Sequence, residues 1–259
     1  MNKSLIFLLF FACISLPSCT TKNNNHSNRT KKTKRIIPVG SFVKIHSVFS
    51  IDECKKEKET ACKTGTFASS GSGISIGMYQ GGSVVLTAGH MCYVSMDPKF
   101  ADAIQKAHRK IKGENIRGEL LDGNVVAMTS GAMDQRDLCM VYIPNLMTDG
   151  VKIAARPPRI GEEVISLSAP VGIFHPPTFP ILLGLYSGLI PGSPNALTTI
   201  PAVGGSSGSG ILNENMALVG ILYATAQAFN NISLISNYYQ TMSFIEEGYE
   251  TIINKNYSE

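Results

Sequence analysis

Beyond the first twenty residues no apolar stretch runs far before glycine, proline or a polar residue breaks it. A membrane-spanning helix needs about 20 consecutive apolar residues, so the body of the chain offers none. The 24 glycines and 13 prolines, with no tryptophan among 259 residues, fit many short strands joined by turns better than a helical bundle. An all-β fold is therefore expected. A hydrophobic content of 44% is enough for one large core, and β-rich chains of roughly 200–250 residues often form a single domain.

Residues 1–18 read as an export signal, with Lys3 ahead of an apolar run from Leu5 to Leu16. That run is too short to cross a bilayer of roughly 30 Å as a helix. At its end, Leu16-Pro17-Ser18-Cys19 resembles the lipobox of bacterial lipoproteins, although Pro17 is unusual there. The resemblance implies that Cys19 becomes a lipidated N-terminus, holding the exported protein to a membrane at the cell envelope. Residues 19–35 are rich in Asn, Thr and Lys and carry six cations and no acid. Such a segment cannot bury enough apolar surface to fold, and reads as a flexible tether. The net charge of +4 comes from the N-terminal region: residues 1–35 hold seven cations, leaving 16 of the 23 against 19 acids for the domain at 36–259. The domain itself is not basic, which argues against nucleic acid as a partner.

Cys13 leaves with the signal and Cys19 is the lipidation candidate, so Cys54, Cys62, Cys92 and Cys139 remain. An even number in an exported chain implies two disulfides with three possible connectivities. Cys54 and Cys62 bracket the charged segment Lys55 to Thr60 and suggest a local loop closure. None of the four has the C-x-x-C spacing of a zinc site. Neither a metal nor a cofactor is expected.

Three segments carry chemistry. The run Gly81-Gly82-Ser83-Val84-Val85-Leu86-Thr87-Ala88-Gly89-His90 is a turn followed by an apolar strand that ends on an imidazole. Asp134-Gln135-Arg136-Asp137 precedes the apolar run Leu138 to Ile143, which puts Asp137 at the head of a strand, with Asp134 a weaker rival. The third, Gly204-Gly205-Ser206-Ser207-Gly208-Ser209-Gly210, lies between apolar segments, Ile211-Leu212 and Ala217 to Leu222 following it. A glycine-rich loop lets the backbone approach a carbonyl closely and turn two N–H groups toward one point, as stabilising a tetrahedral oxyanion requires.

Leu86-Thr87-Ala88-Gly89-His90-Met91-Cys92 resembles the V-L-T-A-A-H-C box around the catalytic histidine of trypsin-like serine proteases. Asp137-Leu138-Cys139-Met140-Val141 is similar to the D-I-A-L-L segment of that family, and Gly205-Ser206-Ser207-Gly208-Ser209 to its G-D-S-G-G-P loop. The resemblance covers about Gly71 to Glu247. It implies two six-stranded antiparallel β-barrels with a C-terminal helix, and the helical spacing of Met242, Ile245, Tyr249 and Ile252 agrees with that helix. By motif position, Ser207 would be the nucleophile, His90 the base and Asp137 its orienting acid, with the N–H groups of Gly205 and Ser207 as oxyanion hole. The substrate would be a protein or peptide. Because His90 and Asp137 should touch, a Cys92–Cys139 disulfide is plausible beside them.

Gly204-Gly205-Ser206-Ser207-Gly208 also fits the G-x-S-x-G turn of α/β-hydrolase esterases, with Ser206 as nucleophile. That fold places its histidine after the serine, whereas the last histidine here is His175. The subtilisin order would need an acid ahead of His90 such as Asp52, which sits in the polar, Cys-flanked stretch. A non-catalytic, lipid-anchored binding protein on the same scaffold is the alternative function. His26, His46, His108 and His175 have no motif around them and are expected to be structural or exposed, His108 on a surface helix or loop over Gln105 to Lys112.

Two departures from the family narrow the expectation toward its bacterial and viral members. Digestive relatives carry an acid just before the nucleophile, used in zymogen activation; here that residue is Ser206. Arg35-Ile36-Ile37 resembles an activation cleavage site, where a cut would free the domain from its tether. The position that supplies trypsin's specificity acid is Pro201, and Ala196 to Ser206 holds no acid. With Tyr223, Ala224 and Thr225 as the facing wall, a small or apolar residue is expected on the acyl side of the cut.

Overall fold

The computed structural model describes residues 35–56, 62–93, 98–129, 136–226 and 229–255. The expected signal, Cys19, the expected tether up to Lys34, His26 and the rival acid Asp134 lie outside them.

The first six strands are β1 (Phe42–Cys54), β2 (Gly65–Tyr79), β3 (Gly82–Ala88), β4 (Ile104–Asn115), β5 (Leu120–Met128) and β6 (Leu138–Pro144). They close into an antiparallel barrel in the order β1-β2-β3-β6-β5-β4. A second barrel follows from β7 (Glu163–Leu167), β8 (Ile181–Leu189), β9 (Asn195–Thr198), β10 (Gly210–Leu212), β11 (Leu218–Ala226) and β12 (Phe229–Ser236), in the order β10-β11-β12-β9-β8-β7. Closure leaves no open sheet edge in either half. A short helix α1 (Pro98–Ala103) precedes β4, and α2 (Tyr238–Lys255) ends the described chain. The expected pair of six-stranded barrels with a C-terminal helix is what the chain forms.

Sequence pattern accounts for the strands. In β1 the stretch Val43 to Ile51 alternates buried and half-buried residues, the period of a strand with one face in a core. β3 is buried throughout, and its neighbour β6 buried up to Pro144, so both read as continuous apolar runs. Val43, Ile45, Val85, Ile111, Val141 and Ile143 fill the first barrel. Val164, Ala196, Ile211, Val219 and Ile235 fill the second. A third cluster joins the halves: Leu86 and Leu138 meet Leu212 and Ile221, and Phe244, Ile245 and Ile252 of α2 cover it.

One expectation needs correction. The Gln105–Lys112 segment with His108 is part of strand β4, paired along β1 from Val43↔Asn115 to Cys54↔Ile104, and not a helix or loop. His108 Nδ1 lies 3.2 Å from a carboxylate oxygen of Asp52 of β1, and His46 Nε2 3.1 Å from one of Glu114. The imidazole beside Asp52 is thus that of His108, whereas the carboxylate beside His90 is that of Asp137.

Candidate active site

The register of one strand pair brings the acid to the histidine. β3 and β6 pair through Thr87↔Cys139 and Ala88↔Leu138, so Asp137 and Gly89 are the next residues beyond the paired ends. The N–H of Gly89 donates to the Asp137 carbonyl at 2.8 Å. A 3₁₀ turn at Gly89–Met91 then swings His90 over the Asp137 side chain. One carboxylate oxygen accepts the backbone N–H of His90 at 2.7 Å, and the other lies 2.8 Å from its Nδ1. Asp137 adopts φ of 48°, a left-handed conformation that Asp tolerates better than most residues. Its side chain is 5% exposed and that of His90 28%, so the acid is shielded while the imidazole remains reachable.

The Tyr93 hydroxyl donates to Asp137 at 3.3 Å. Burial, reinforced by the Asp137 charge, pushes the Tyr93 hydroxyl far above the ordinary tyrosine range, so it stays a neutral donor. Behind this pair the Cys92–Cys139 disulfide joins the turn after His90 to the strand after Asp137, both cysteines fully buried. The second disulfide is the Cys54–Cys62 loop closure.

Ser207 comes from the other barrel, on the loop between β9 and β10. Carbonyls on both sides of it are fastened. Gly204 C=O accepts from Val171 N–H at 2.7 Å, Gly205 C=O from Ser72 Oγ at 2.9 Å, and Ser207 C=O from Ser72 N–H at 2.7 Å. Gly208 N–H donates to Leu222 C=O at 2.7 Å. Among the described residues the N–H groups of Gly205 and Ser207 have no acceptor, and they are the pair expected to bind an oxyanion. Gly205 has φ of 91°, and a Cβ there would stand 2.5 Å from the Ala169 carbonyl oxygen. Gly208, at φ of 89°, packs so tightly on Ser72 O, Thr87 Oγ1 and Ala88 N that a side chain has no room. That contact sets the Ser207 loop against the end of β3, two residues from His90. Ser207 Oγ makes a long bond of 3.4 Å to Tyr223 C=O, and Nε2 of His90 carries no bond among the described residues. Ser206 is fully buried, its Oγ accepting from Val203 N–H, so of the two adjacent serines Ser207 is the one within reach of substrate.

The residues expected to form the acyl pocket are divided. Pro201 is exposed after β9, and Ala224 and Thr225 lie half-buried on β11 opposite Leu234 and Ser233. Tyr223 differs from the expectation: its ring packs on the core of the first barrel, where burial pushes its hydroxyl up to about 12. Its carbonyl, not its ring, therefore faces Ser207.

Tyr93, Ser72 and Val171 escaped sequence reasoning, because no motif marks them. Ser72 Oγ also accepts the Ala169 N–H at 2.9 Å, so one hydroxyl ties both barrels to the loop. Val171 takes φ of 47°, rare for a β-branched residue, and thereby aims its N–H at Gly204. The turn that holds it is fastened to the first barrel by Lys44 Nζ, which donates to Gly172 C=O at 3.1 Å.

Residues 71–221 match the family model described as a trypsin-like peptidase domain. No curated protein sequence matches the chain. Among solved structures, the Rv3671c protease of M. tuberculosis in its active form aligns with a TM-score of 0.56 at 16% identity, over 82% of this chain and 82% of that one. Its inactive form aligns at 0.54 and 16%, over 82% and 90%. The serine endoprotease from Yersinia pestis aligns at 0.55 and 18%, over 83% of this chain and 64% of its own. At such identities the likeness is one of fold. The match to the peptidase model spans more than half of the sequence and contains all three segments that meet at the cleft, and on that ground the chain belongs to the trypsin-like peptidase domain family, a family of serine endopeptidases.

Proposed function

We propose that the chain hydrolyses peptide bonds through an acyl-enzyme, with Ser207 as nucleophile, His90 as general base and acid, and Asp137 as the group that orients His90. The observation that carries this reading is the Asp137 carboxylate, which holds both the backbone N–H and Nδ1 of His90 at 2.7 and 2.8 Å. With Nδ1–H so held, Nε2 is the free base and faces outward. It takes the Ser207 proton as Oγ attacks the scissile carbonyl, and returns it to the leaving amine. The N–H groups of Gly205 and Ser207 receive the oxyanion, each such donor being worth about a hundredfold or more in rate.

A fluorophosphonate probe tests the assignment. Wild type and Ser206→Ala should label and Ser207→Ala should not. An unlabelled wild type would instead favour a non-catalytic binding protein on this scaffold. The acyl side of the cut takes a small or apolar residue against Pro201, Ala224 and Thr225, and a peptide-library profile dominated by Lys or Arg would refute that. The protein is exported and held to a membrane by lipid on Cys19, with residues 19–35 as tether. Detergent-phase partitioning that Cys19→Ser abolishes is the expected result, and partitioning of both forms into the aqueous phase would overturn it.

A further inference from the structure

A cavity of about 230 Å³ opens beside His90, and its wall is mostly aromatic. Phe49 and Phe67 are direct cross-strand partners on β1 and β2, Phe100 projects from α1, and Tyr93 follows the histidine turn. Among the described residues no carboxylate, lysine or arginine lines it. Phe67 is 51% exposed, a large aromatic surface left open next to the catalytic centre. An apolar cavity of about 150 Å³ is enough to take benzene, so this one has room for a phenyl ring and its methylene.

Its place fixes which part of a substrate it meets. Every described lining residue belongs to the first barrel or to the turn and helix that connect its strands, whereas Pro201, Ala224 and Thr225 on the acyl side belong to the second. β2, whose Ser72 N–H donates to the Ser207 carbonyl, reaches the cavity three residues earlier, at Ser69. A substrate that spans the nucleophile from β11 to β2 therefore brings its leaving half to this wall. The group that lines the cavity and also hands a proton to the leaving amine is His90, so the side chain nearest that amine enters. We infer that the cavity selects an aromatic or large apolar side chain on the first residue after the cut, and that Phe67 is a specificity-determining residue for it. The inference rests on the acyl-enzyme reading above and adds a second recognition site to it.

The test isolates the leaving side. The enzyme is acylated with an activated ester, and phenylalaninamide or alaninamide competes with water for the acyl group. Partition toward phenylalaninamide should exceed that toward alaninamide by about tenfold, the discrimination an apolar pocket gives. The ratio, read within each protein, should approach one in Phe67→Ala and be largely kept in Phe67→Leu. Equal partition in wild type, or a preference that survives Phe67→Ala, overturns the inference. In parallel, Ser207→Ala protein is titrated with the two amides while the His90 imidazole signals are followed by NMR. Phenylalaninamide should move them at about tenfold lower concentration, and equal effects of the two amides overturn the pocket. If wild type never acylates, the acyl-enzyme reading falls, and the titration still decides the pocket.

Discussion

Replacing Gly205 with alanine should separate chemistry from folding. At φ of 91° the added Cβ would lie 2.5 Å from the Ala169 carbonyl oxygen, closer than side-chain carbons approach such atoms, and 3.0 Å from Gly172 N, a tight contact. A left-handed conformation costs a non-glycine residue about 1–2 kcal/mol, and the clash adds to it. The loop can relieve both by rotating the peptide between Gly204 and Gly205. That rotation breaks the 2.7 Å bond from Val171 N–H to Gly204 C=O and carries the Gly205 N–H out of the oxyanion hole. Loss of one such donor costs about 10²–10³ in rate, equivalent to about 2.7–4 kcal/mol of transition-state stabilisation. The barrels stay intact, because Gly205 is only half-buried and contributes to no core cluster. The expected outcome is a fall of about two to three orders of magnitude in the acylation rate constant with an active-site titrant, and a melting temperature lowered by only about 2–8 °C. An acylation rate constant within threefold of wild type would refute the oxyanion role.

Three further changes probe the supports of the site. Ser72→Ala removes two hydrogen bonds and strands the Ala169 N–H in the interior, so thermal denaturation should show a loss of about 1–3 kcal/mol together with slower acylation. Replacing Cys92 and Cys139 together by alanine opens a crosslink across 47 residues, worth roughly 4 kcal/mol, and chemical denaturation should register most of it. Tyr93 keeps its proton in the folded protein well above the ordinary tyrosine value of about 10 but loses it there when unfolded. Unfolding then releases a proton, so stability is full below pH 10 and declines as pH rises past it. In Tyr93→Phe that decline should be shallower; an unchanged alkaline profile would remove Tyr93 from the account.

The segments of His90 and Asp137 were legible because each joins a continuous apolar strand to a reactive residue, at its end in Val84 to His90 and at its head in Asp137 to Ile143. A strand buried on both faces leaves a run with few alternative readings. The β4 segment failed for the opposite reason. Gln105 to Lys112 is studded with basic residues and exposed over much of its length, and it is held as a strand by its pairing to β1, a partner more than 50 residues away in sequence. Ser72 and Val171 were invisible for a related reason: their contacts with the nucleophile loop span 133 residues in one case and reach across a strained turn in the other. The Tyr223 ring was misplaced because strand alternation alone does not say which barrel a residue at the seam will face.

The Cys92–Cys139 bond makes the chain between its two ends a covalently closed excursion. Everything in that excursion, including α1, β4 and β5, leaves from the turn after His90 and returns to the strand after Asp137. The part from α1 to β5 can therefore change in length and sequence, and its hairpin can open transiently, while the bond keeps the residues that follow His90 and Asp137 together. Phe100, which α1 contributes to the aromatic wall beside His90, is thus free to change while His90 and Asp137 keep their spacing.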